Sequence, residues 1–238
     1  IYMIKNNTIL KVLDLFRCFK EAAFKNISTY YDKEYADRMN AFSLNNNSKS
    51  ELKYMLSKVN IFNGMKILDV GCNTGQTLNM INNFCKAKLY GIDLNINGIK
   101  LATKQFPKIE FKHAPSEDIP YKDNSFDYVM INHAIGHVEN PDKTISEVFR
   151  VLRKGGKLSI VTPNKWYKVY MTLNNCINSY NPDPTVLRYY TIKSLQRLLE
   201  GNNFKVTHKT YFGEIPSWSN FIFKGKCSMR VIIVAEKL

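Results

Sequence analysis

The hydrophobic positions from residue 66 onward alternate between short apolar runs and amphipathic segments. The apolar runs predict strands, and apolar positions repeating every three or four residues predict the helices between them. The predicted strands are 66–71, 88–93, 109–113, 126–132 and 157–162. The predicted helices between these strands are, approximately, 75–85, 96–105 and 141–153. Strands that alternate with helices in this way indicate an α/β fold with a parallel sheet and right-handed crossovers.

The segments before this alternation follow other patterns. Residues 8–25 place apolar side chains on one face and charged side chains on the other, which predicts an amphipathic helix. Ser48 and Glu51 have the spacing of a capping box and predict a helix that continues to about Val59. We expect the amphipathic helix to serve as a lid or a dimer contact, with peripheral contact to a membrane as the alternative.

The alternation stops after Pro163. Residues 164–190 are rich in Asn, Tyr and Pro, and we interpret them as an insertion that covers the substrate. Farther on, a helix at about 191–200 precedes two strands, 204–212 and 230–237, which are expected to form an antiparallel pair. The predicted units are a helical lid segment, 1–47, and one domain, 48–238.

The charge of the chain allows two interpretations. The 238 residues carry a formal net charge of +14 and have a sequence pI of about 9.5. This balance could indicate an anionic partner such as nucleic acid, a membrane surface or an acidic substrate. The basic residues are scattered without a dense run, however, and Lys and Asn are abundant throughout, so we favour a compositional origin. Either a monomer or a homodimer is compatible with the sequence.

The five cysteines are odd in number and include no CxxC pair: Cys18, Cys72, Cys85, Cys176 and Cys227. This set predicts neither a disulfide framework nor a zinc site, so we expect reduced thiols in a cytoplasmic protein without a bound metal. No apolar run approaches the ~20 residues that span a bilayer.

The clearest candidate for ligand binding is the stretch KILDVGCNTGQTL, residues 66–78, where a predicted strand turns into a helix. Asp69 precedes the turn, and Gly71 and Gly75 bracket it. Glycine permits positive φ angles and a close approach of backbone to ligand, and the helix N-terminus favours a carboxylate. The G-x-x-x-G spacing differs from the G-x-G-x-x-G of dinucleotide sites, and no G-K-[ST] follows, which excludes a P-loop.

A second acidic residue, Asp93, ends the next predicted strand. It follows Gly71 by roughly 20 residues, the distance at which a carboxylate meets ribose hydroxyls in nucleotide-binding folds. The two features together predict a ligand that carries a ribose and needs no pocket for a diphosphate.

These motifs, in this order, resemble those of the class I S-adenosylmethionine-dependent methyltransferases, and most closely the group that contains the ubiquinone and menaquinone biosynthesis methyltransferases. ILDVGCNTG resembles the first motif of the family, GIDLN resembles the second, and the stretch from SEDIPY to VTPN resembles the adenine loop and the strands after it. The resemblance covers about 62–165 and, more loosely, 191–238. It implies S-adenosyl-L-methionine as the cofactor.

The resemblance also implies the architecture. We expect a Rossmann-like, doubly wound, mostly parallel seven-stranded sheet with an antiparallel C-terminal strand. N-terminal helices would precede this sheet, and the insertion would follow its fifth strand.

The resemblance implies that the turn after the first strand holds the methionine end of the cofactor, with Gly71, Asn73 and Gly75 lining it. Asn73 stands where the family usually has its middle glycine. Since Asn tolerates positive φ better than most residues, we expect the turn to keep its shape. Two roles stay open for Asp69, namely contact with the cofactor and a structural bond to the amides of the turn.

The resemblance places the nucleoside along the next two loops. Asp93 is expected to bind both ribose hydroxyls, and Leu94 to pack against the adenine. Ser116 and Glu117 are expected to border the edge of the base. Pro115 stands where relatives often carry an acid that contacts the adenine amino group, so Glu117 or a backbone carbonyl is the candidate substitute.

The remaining cofactor contacts implied by the resemblance lie farther apart in the chain. Asn132 is expected under the amino acid moiety. In the lid segment, Tyr31 is expected to pack near the methionine and Arg38 to pair with its carboxylate. The alternative for Tyr31 and Arg38 is an ordinary surface or core position.

His133 and His137 follow the fourth predicted strand, on the side where the methyl acceptor should enter. His137 matches a His that is common in this branch of the family. An imidazole suits proton transfer near neutral pH, and a base is needed only when the acceptor must lose a proton. Both are therefore candidates for catalysis or substrate orientation, His137 ahead of His133; the alternative is a His that braces the loop.

Three functions remain open at the level of sequence. We favour transfer of a methyl group to a small-molecule acceptor, anionic or lipid-soluble, with O-methylation ahead of N- or C-methylation. The second is an RNA or protein methyltransferase that uses the basic surface, although NHAIG replaces the [DN]-P-P-[YFW] loop of adenine-N6 enzymes. The third is a non-catalytic partner with the same fold.

Overall fold

The computed structural model describes residues 46–167, 185–213 and 229–238. The strands are β1 Lys66–Val70, β2 Lys88–Asp93, β3 Glu110–His113, β4 Phe126–Asn132, β5 Leu152–Pro163, β6 Phe204–Phe212 and β7 Arg230–Lys237. The helices are α1 Asn46–Leu56, α2 Gln76–Asn82, α3 Ile96–Gln105, α4 Pro141–Val151 and α5 Ile192–Gly201. The predicted helix 8–25 and most of the lid segment, of the insertion and of the loop between the last two strands lie outside the described residues.

The seven strands form one sheet with the order β3-β2-β1-β4-β5-β7-β6. β3, β2, β1, β4 and β5 are parallel to one another, whereas β7 lies antiparallel between β5 and β6. The expected doubly wound, mostly parallel sheet with an antiparallel C-terminal strand is confirmed. Strand order reverses between β1 and β4, and ligands of such sheets bind beyond the carboxyl ends of the strands at that point.

Both faces of the sheet are covered, as the continuous apolar run of β4 indicates. On one face, Leu68 and Ile131 pack with residues of α4 and α5 in a buried cluster. On the other face, Ile67 and Met130 pack with Met55 of α1 and with α2. Because apolar clusters cover both faces of the sheet, polar side chains that could bind a ligand are expected in the loops at its two ends.

Two boundaries differ from the sequence prediction. Helix α1 begins at Asn46 and ends at Leu56, and Glu51 lies within it as a buried residue, not as a partner in an N-terminal capping box. The capping pattern misled because Glu51 and Met55 are four residues apart and share the face that packs on the sheet. Likewise, β5 begins at Leu152, which pairs with Phe126 across a register shift, so the preceding helix ends two residues early.

The start of α4 is fixed by its own sequence. Asn140 caps α4 by accepting a hydrogen bond from the Lys143 amide at 3.0 Å, and Pro141 occupies the first turn, as predicted.

None of the helices in the described ranges has the length and apolar character needed to cross a membrane. Cys72 and Cys85, the cysteines within these ranges, are free thiols.

Candidate functional site

The turn from β1 into α2 is held by hydrogen bonds from its backbone amides to groups at the end of β2. Its three central positions have positive φ: 83° at Gly71, 45° at Asn73 and 74° at Gly75. The Asn73 amide donates to Oδ2 of Asp93 at 2.8 Å, and the Gly71 amide donates to the Ile92 carbonyl at 2.8 Å. The side-chain preference of Asn for this region of φ therefore allows it to replace the middle glycine of the motif.

Packing between loops explains why Gly71 and Gly75 carry no side chain. A Cβ on Gly71 would overlap the Cβ of Ala134, which lies on the loop after β4. A Cβ on Gly75 would lie 2.6 Å from Cζ of Phe111 in β3. The sequence argument attributed both glycines to the approach of a ligand, and the structure adds the approach of neighbouring protein atoms.

Two carboxylates lie at the carboxyl ends of β1 and β2. Asp93 accepts the amides of Asn73 and of Asn95, the latter at 2.7 Å, through its two oxygens. Burial raises the pKa of Asp93, while the two amide donors and His113 oppose that rise. Asp69 is 1% exposed, and its Oδ1 has no hydrogen-bond partner among the described residues. Burial and the nearby charge of Asp93 raise the pKa of Asp69 to about 8.

A cavity of about 540 Å³ opens beside these groups, beyond the carboxyl ends of the strands. It brings together six of the residues singled out from the sequence: Gly71, Asp93, Leu94, Ser116, Glu117 and His137. Asp69, Asn73, Gly75, Asn132 and His133 do not line this cavity, and Tyr31 and Arg38 lie outside the described residues. The cavity thus joins the region expected for the nucleoside to His137, the favoured one of the two candidate histidines.

The loop expected to border the adenine is braced from α4. Ser116 donates to the Glu117 carboxylate at 2.9 Å and also lies 2.9 Å from the Thr144 hydroxyl. The other oxygen of Glu117 accepts the Asn140 amide at 3.3 Å. Both oxygens of Glu117 therefore hold the loop together, while Pro115 contributes to the wall of the cavity.

The end of the insertion docks on the loop that carries His137. Nδ1 of His137 lies 2.8 Å from the hydroxyl of Thr185, which is buried. The Gly136 carbonyl accepts the amides of Leu187 and Arg188 at 2.9 and 3.0 Å. A Cβ on Gly136 would lie 3.0 Å from the Arg188 carbonyl oxygen, so the missing side chain makes room for this contact.

His133 belongs to a buried charged cluster that was not predicted from the sequence. Glu51 of α1 forms an ion pair with Arg230 at the start of β7, and its Oε2 lies 3.1 Å from Nε2 of His133. Asn132 and Thr162, at the carboxyl ends of β4 and β5, each bury an oxygen that has no partner among the described residues. The usable signal in the sequence was Glu51 itself, an acid on the apolar face of an amphipathic helix.

The aromatic residues at the two ends of the insertion lie in different environments. Tyr190 is buried and belongs to the core against α4 and α5, whereas Trp166 is well exposed. Tyr170 and Tyr180 lie outside the described residues. A role in substrate cover therefore remains a prediction for the insertion as a whole, and it does not apply to Tyr190.

Comparisons with known proteins agree with this architecture. The family model of the methyltransferase domain matches residues 68–160. The demethylmenaquinone methyltransferase of Oceanobacillus iheyensis is 30% identical over 142 residues, which are 57% of this chain and 58% of that protein. The ubiquinone/menaquinone biosynthesis C-methyltransferase of Campylobacter jejuni is 30% identical over 146 residues, 58% of this chain and 60% of that protein. The chain thus matches about three fifths of the length of these curated relatives.

Among solved structures, the chain resembles an S-adenosylmethionine-dependent methyltransferase from Aquifex aeolicus. The TM-score is 0.60 at 20% identity, and the match covers 79% of this chain and 89% of that one. A likeness at this identity shows the fold. The resemblance to class I methyltransferases that the motifs indicated is confirmed for the central domain.

Proposed function

We propose that this chain, whose central region is a class I methyltransferase domain, transfers a methyl group from S-adenosylmethionine to a small-molecule acceptor. The observation that carries the proposal is the cavity beside Asp93. One wall of this cavity is the glycine turn, and its other walls include Leu94, Ser116 and His137. Such a site has a carboxylate for ribose hydroxyls and an apolar surface for a base, and it offers no Lys or Arg within the turn for a diphosphate.

The residues present fit S-adenosylmethionine. Asp93 uses its two oxygens on amides of the protein, yet a carboxylate has about four acceptor sites, so two remain for ribose hydroxyls. Asp69 is buried and does not line the cavity, so the carboxylate that we assign to the cofactor is that of Asp93. When bound, the sulfonium of this cofactor supplies an electrophilic methyl group.

The residues of the chain would then act mainly by positioning. Backbone amides of the turn and Asp93 would hold the cofactor, and the loop after β4 would hold the acceptor in line with the methyl carbon. A side chain that accepts the proton of a hydroxyl would raise the nucleophilicity of the acceptor, which is the role we propose for an imidazole after β4.

We favour an acceptor with an acidic hydroxyl group, such as a phenol or a quinol, and transfer to its oxygen. Transfer to a ring carbon is the second candidate, because the curated relatives have names that refer to menaquinone and to C-methylation. Loss of a proton from the hydroxyl activates both the oxygen and the adjacent ring carbons. The same base would therefore serve either outcome. A cytoplasmic location, argued from the cysteines, stays our prediction.

The test is a mass-spectrometric assay with S-adenosylmethionine that carries a trideuterated methyl group. The panel would contain catechols, hydroxynaphthoquinones and reduced naphthoquinols, with labelled RNA and a peptide mixture as separate arms. We expect a mass gain on a small molecule, and ¹³C spectra of that product would assign the methyl group to oxygen or carbon. Label on RNA or peptide alone, or no S-adenosylhomocysteine binding, would overturn the proposal.

A further inference from the structure

The loop after β3 contributes the hydroxyl of Ser116 to the wall of the cavity. This loop is tied to the end of β2, because the Ala114 amide donates to the Asp93 carbonyl at 3.1 Å. Ser116 follows this anchor by two residues, so it lies near the strand end that carries the carboxylate proposed for the ribose. Leu94 and Pro115 line the same cavity and offer apolar surface to a base attached to that ribose.

Hydrogen bonds fix the direction in which the Ser116 hydroxyl points. Its Oγ donates to Oε2 of Glu117 at 2.9 Å, and a carboxylate only accepts. Because that proton is used, Thr144 must be the donor in the 2.9 Å contact between the two hydroxyls. Thr144 is fully buried on α4, and the Asn140 amide holds the other oxygen of Glu117 at 3.3 Å.

This arrangement leaves Ser116 with a defined polarity toward the cavity. A hydroxyl oxygen has two acceptor positions, and Thr144 occupies one of them. Ser116 therefore presents one acceptor position, and no proton, to a ligand in the cavity. Such a group pairs with a ligand that donates a hydrogen bond and opposes one that brings a carbonyl oxygen.

We propose that Ser116, with its proton held by Glu117, selects the 6-amino group of adenine over the carbonyl oxygen that hypoxanthine carries at the same position. The assignment rests on the proposed function and extends it from the class of the cofactor to recognition of its base. From the sequence, Glu117 or a backbone carbonyl was the candidate to replace the acid missing at Pro115. In the structure, Glu117 is a positioning residue that acts through Ser116.

The test is calorimetry with S-adenosylhomocysteine and S-inosylhomocysteine, which differ at position 6 and in the proton that hypoxanthine carries on N1. A site built to pair with one polar group rejects an analogue that leaves it unpaired, and we expect the wild-type protein to prefer the adenosyl form about 10- to 100-fold. Ser116→Ala should lower the ratio of the two Kd values at least about fivefold. Glu139, an exposed acid that also lines the cavity, is the rival acceptor, and Glu139→Gln should leave the ratio unchanged.

A double variant, Glu117→Gln with Thr144→Val, should turn the hydroxyl around. The Asn140 amide retains the Gln carbonyl oxygen, so the Gln amino group should face Ser116 and donate to its Oγ. Since Val offers no partner, the Ser116 proton should point into the cavity. S-inosylhomocysteine should then bind at least about threefold more tightly than it binds to the wild-type protein. Thr144→Val alone is the matched control, because Glu117 still takes the proton and the preference for the adenosyl form should persist.

Thermal unfolding would verify that each variant is folded. If the double variant does not fold, Thr144→Ala replaces Thr144→Val beside Glu117→Gln, with the same expectation. Absence of tighter binding of S-inosylhomocysteine in the folded double variant would overturn the role of Glu117.

The remaining outcomes separate this proposal from the proposed function. Equal wild-type affinities for the two compounds, or the same ratio in Ser116→Ala as in the wild type, would overturn the role of Ser116. Loss of the ratio in Glu139→Gln would do so as well, by assigning the amino group to Glu139. Failure of the wild-type protein to bind either compound would instead overturn the proposed function.

Discussion

Asp69 and Glu51 are both nearly inaccessible to solvent at the same edge of the sheet, yet the protein treats their charges in opposite ways. Asp69 has no cation beside it in the described residues, and its pKa is raised to about 8, so it keeps its proton at neutral pH. Glu51 lies between the Arg230 guanidinium and the His133 imidazole. The same edge of the sheet thus contains a protonated acid at Asp69 and an ion pair at Glu51.

The difference follows from how each region is built. The region around Asp69 is formed by two adjacent strand ends, where the amides of Asn73 and Asn95 donate to the Asp93 carboxylate. The region around Glu51 is formed by side chains from distant segments, namely α1, the loop after β4, and β7. The surroundings of Asp69 therefore depend on the path of adjacent strand ends, whereas those of Glu51 depend on tertiary packing between distant segments.

The largest expected effect concerns the neutral acid. The unfolded chain ionises Asp69 near its ordinary value of 3.8, while the folded protein keeps the proton to about pH 8. Stability is therefore fully present below about pH 4 and falls as pH rises to about 8, by up to about 1.4 kcal/mol per pH unit. Asp69→Asn should remove this decline, as urea unfolding at several pH values would show. Parallel curves for both proteins would contradict the assigned pKa.

The ion pair provides the second test. Glu51→Leu leaves the Arg230 guanidinium buried without its anion, and we expect a loss of about 3–5 kcal/mol in the free energy of unfolding. The double variant with Arg230→Met should recover most of that loss, because the buried guanidinium is gone. Equal stabilities of the single and double variants would show that the ion pair is exposed to water in solution.

A third prediction concerns the proposed role of Asp93 in binding the cofactor. Asp93→Ala removes the acceptor for ribose hydroxyls and for the Asn73 amide, so the Kd for S-adenosylhomocysteine should rise about 100-fold, or about 2.7 kcal/mol. Calorimetry would measure it. Asp118→Ala, at an exposed acid on the following loop, is the matched control and should bind as the wild type does. Comparable affinity in Asp93→Ala would refute the ribose assignment.

The smallest effect separates backbone strain from loop packing. Gly71→Ala and Gly64→Ala both place a side chain at positive φ, but only the former meets another atom, the Cβ of Ala134. We expect Gly71→Ala to lose about 1–3 kcal/mol more stability than Gly64→Ala because of overpacking. Adding Ala134→Gly should reduce the difference. Equal losses in the two variants would remove the close approach of the two loops as the cause.

Much of the fold could be predicted because its signals are local. The strands β2 and β4, and the caps of α4, follow from apolar runs and from residues such as Asn140 and Pro141 that act within one turn. The start of β5 could not be found this way, because Leu152 becomes a strand residue through pairing with Phe126 in another part of the chain.

The candidate site divides along the same line. The glycine turn, Asp93 and Ser116 are recognisable because the motif that holds them is contiguous. Glu51 and Arg230 belong to no contiguous motif. Their ion pair could not be predicted because it joins a helix to a strand far along the chain, and only the folded structure brings them together. Sequence therefore pointed to the glycine turn and to Asp93 as candidates, and it missed the charged partners of His133.

The position of β7 has a consequence for the growing polypeptide. Because β7 lies between β5 and β6, both neighbours leave the ribosome before the strand that separates them. Until Arg230–Lys237 arrives, β5 and β6 each expose an unpaired edge, and such edges favour pairing with other chains. When β7 pairs with β5 and β6, it also brings Arg230 next to Glu51. In the folded sheet, the same strand therefore both joins β5 to β6 and carries the guanidinium that pairs with Glu51.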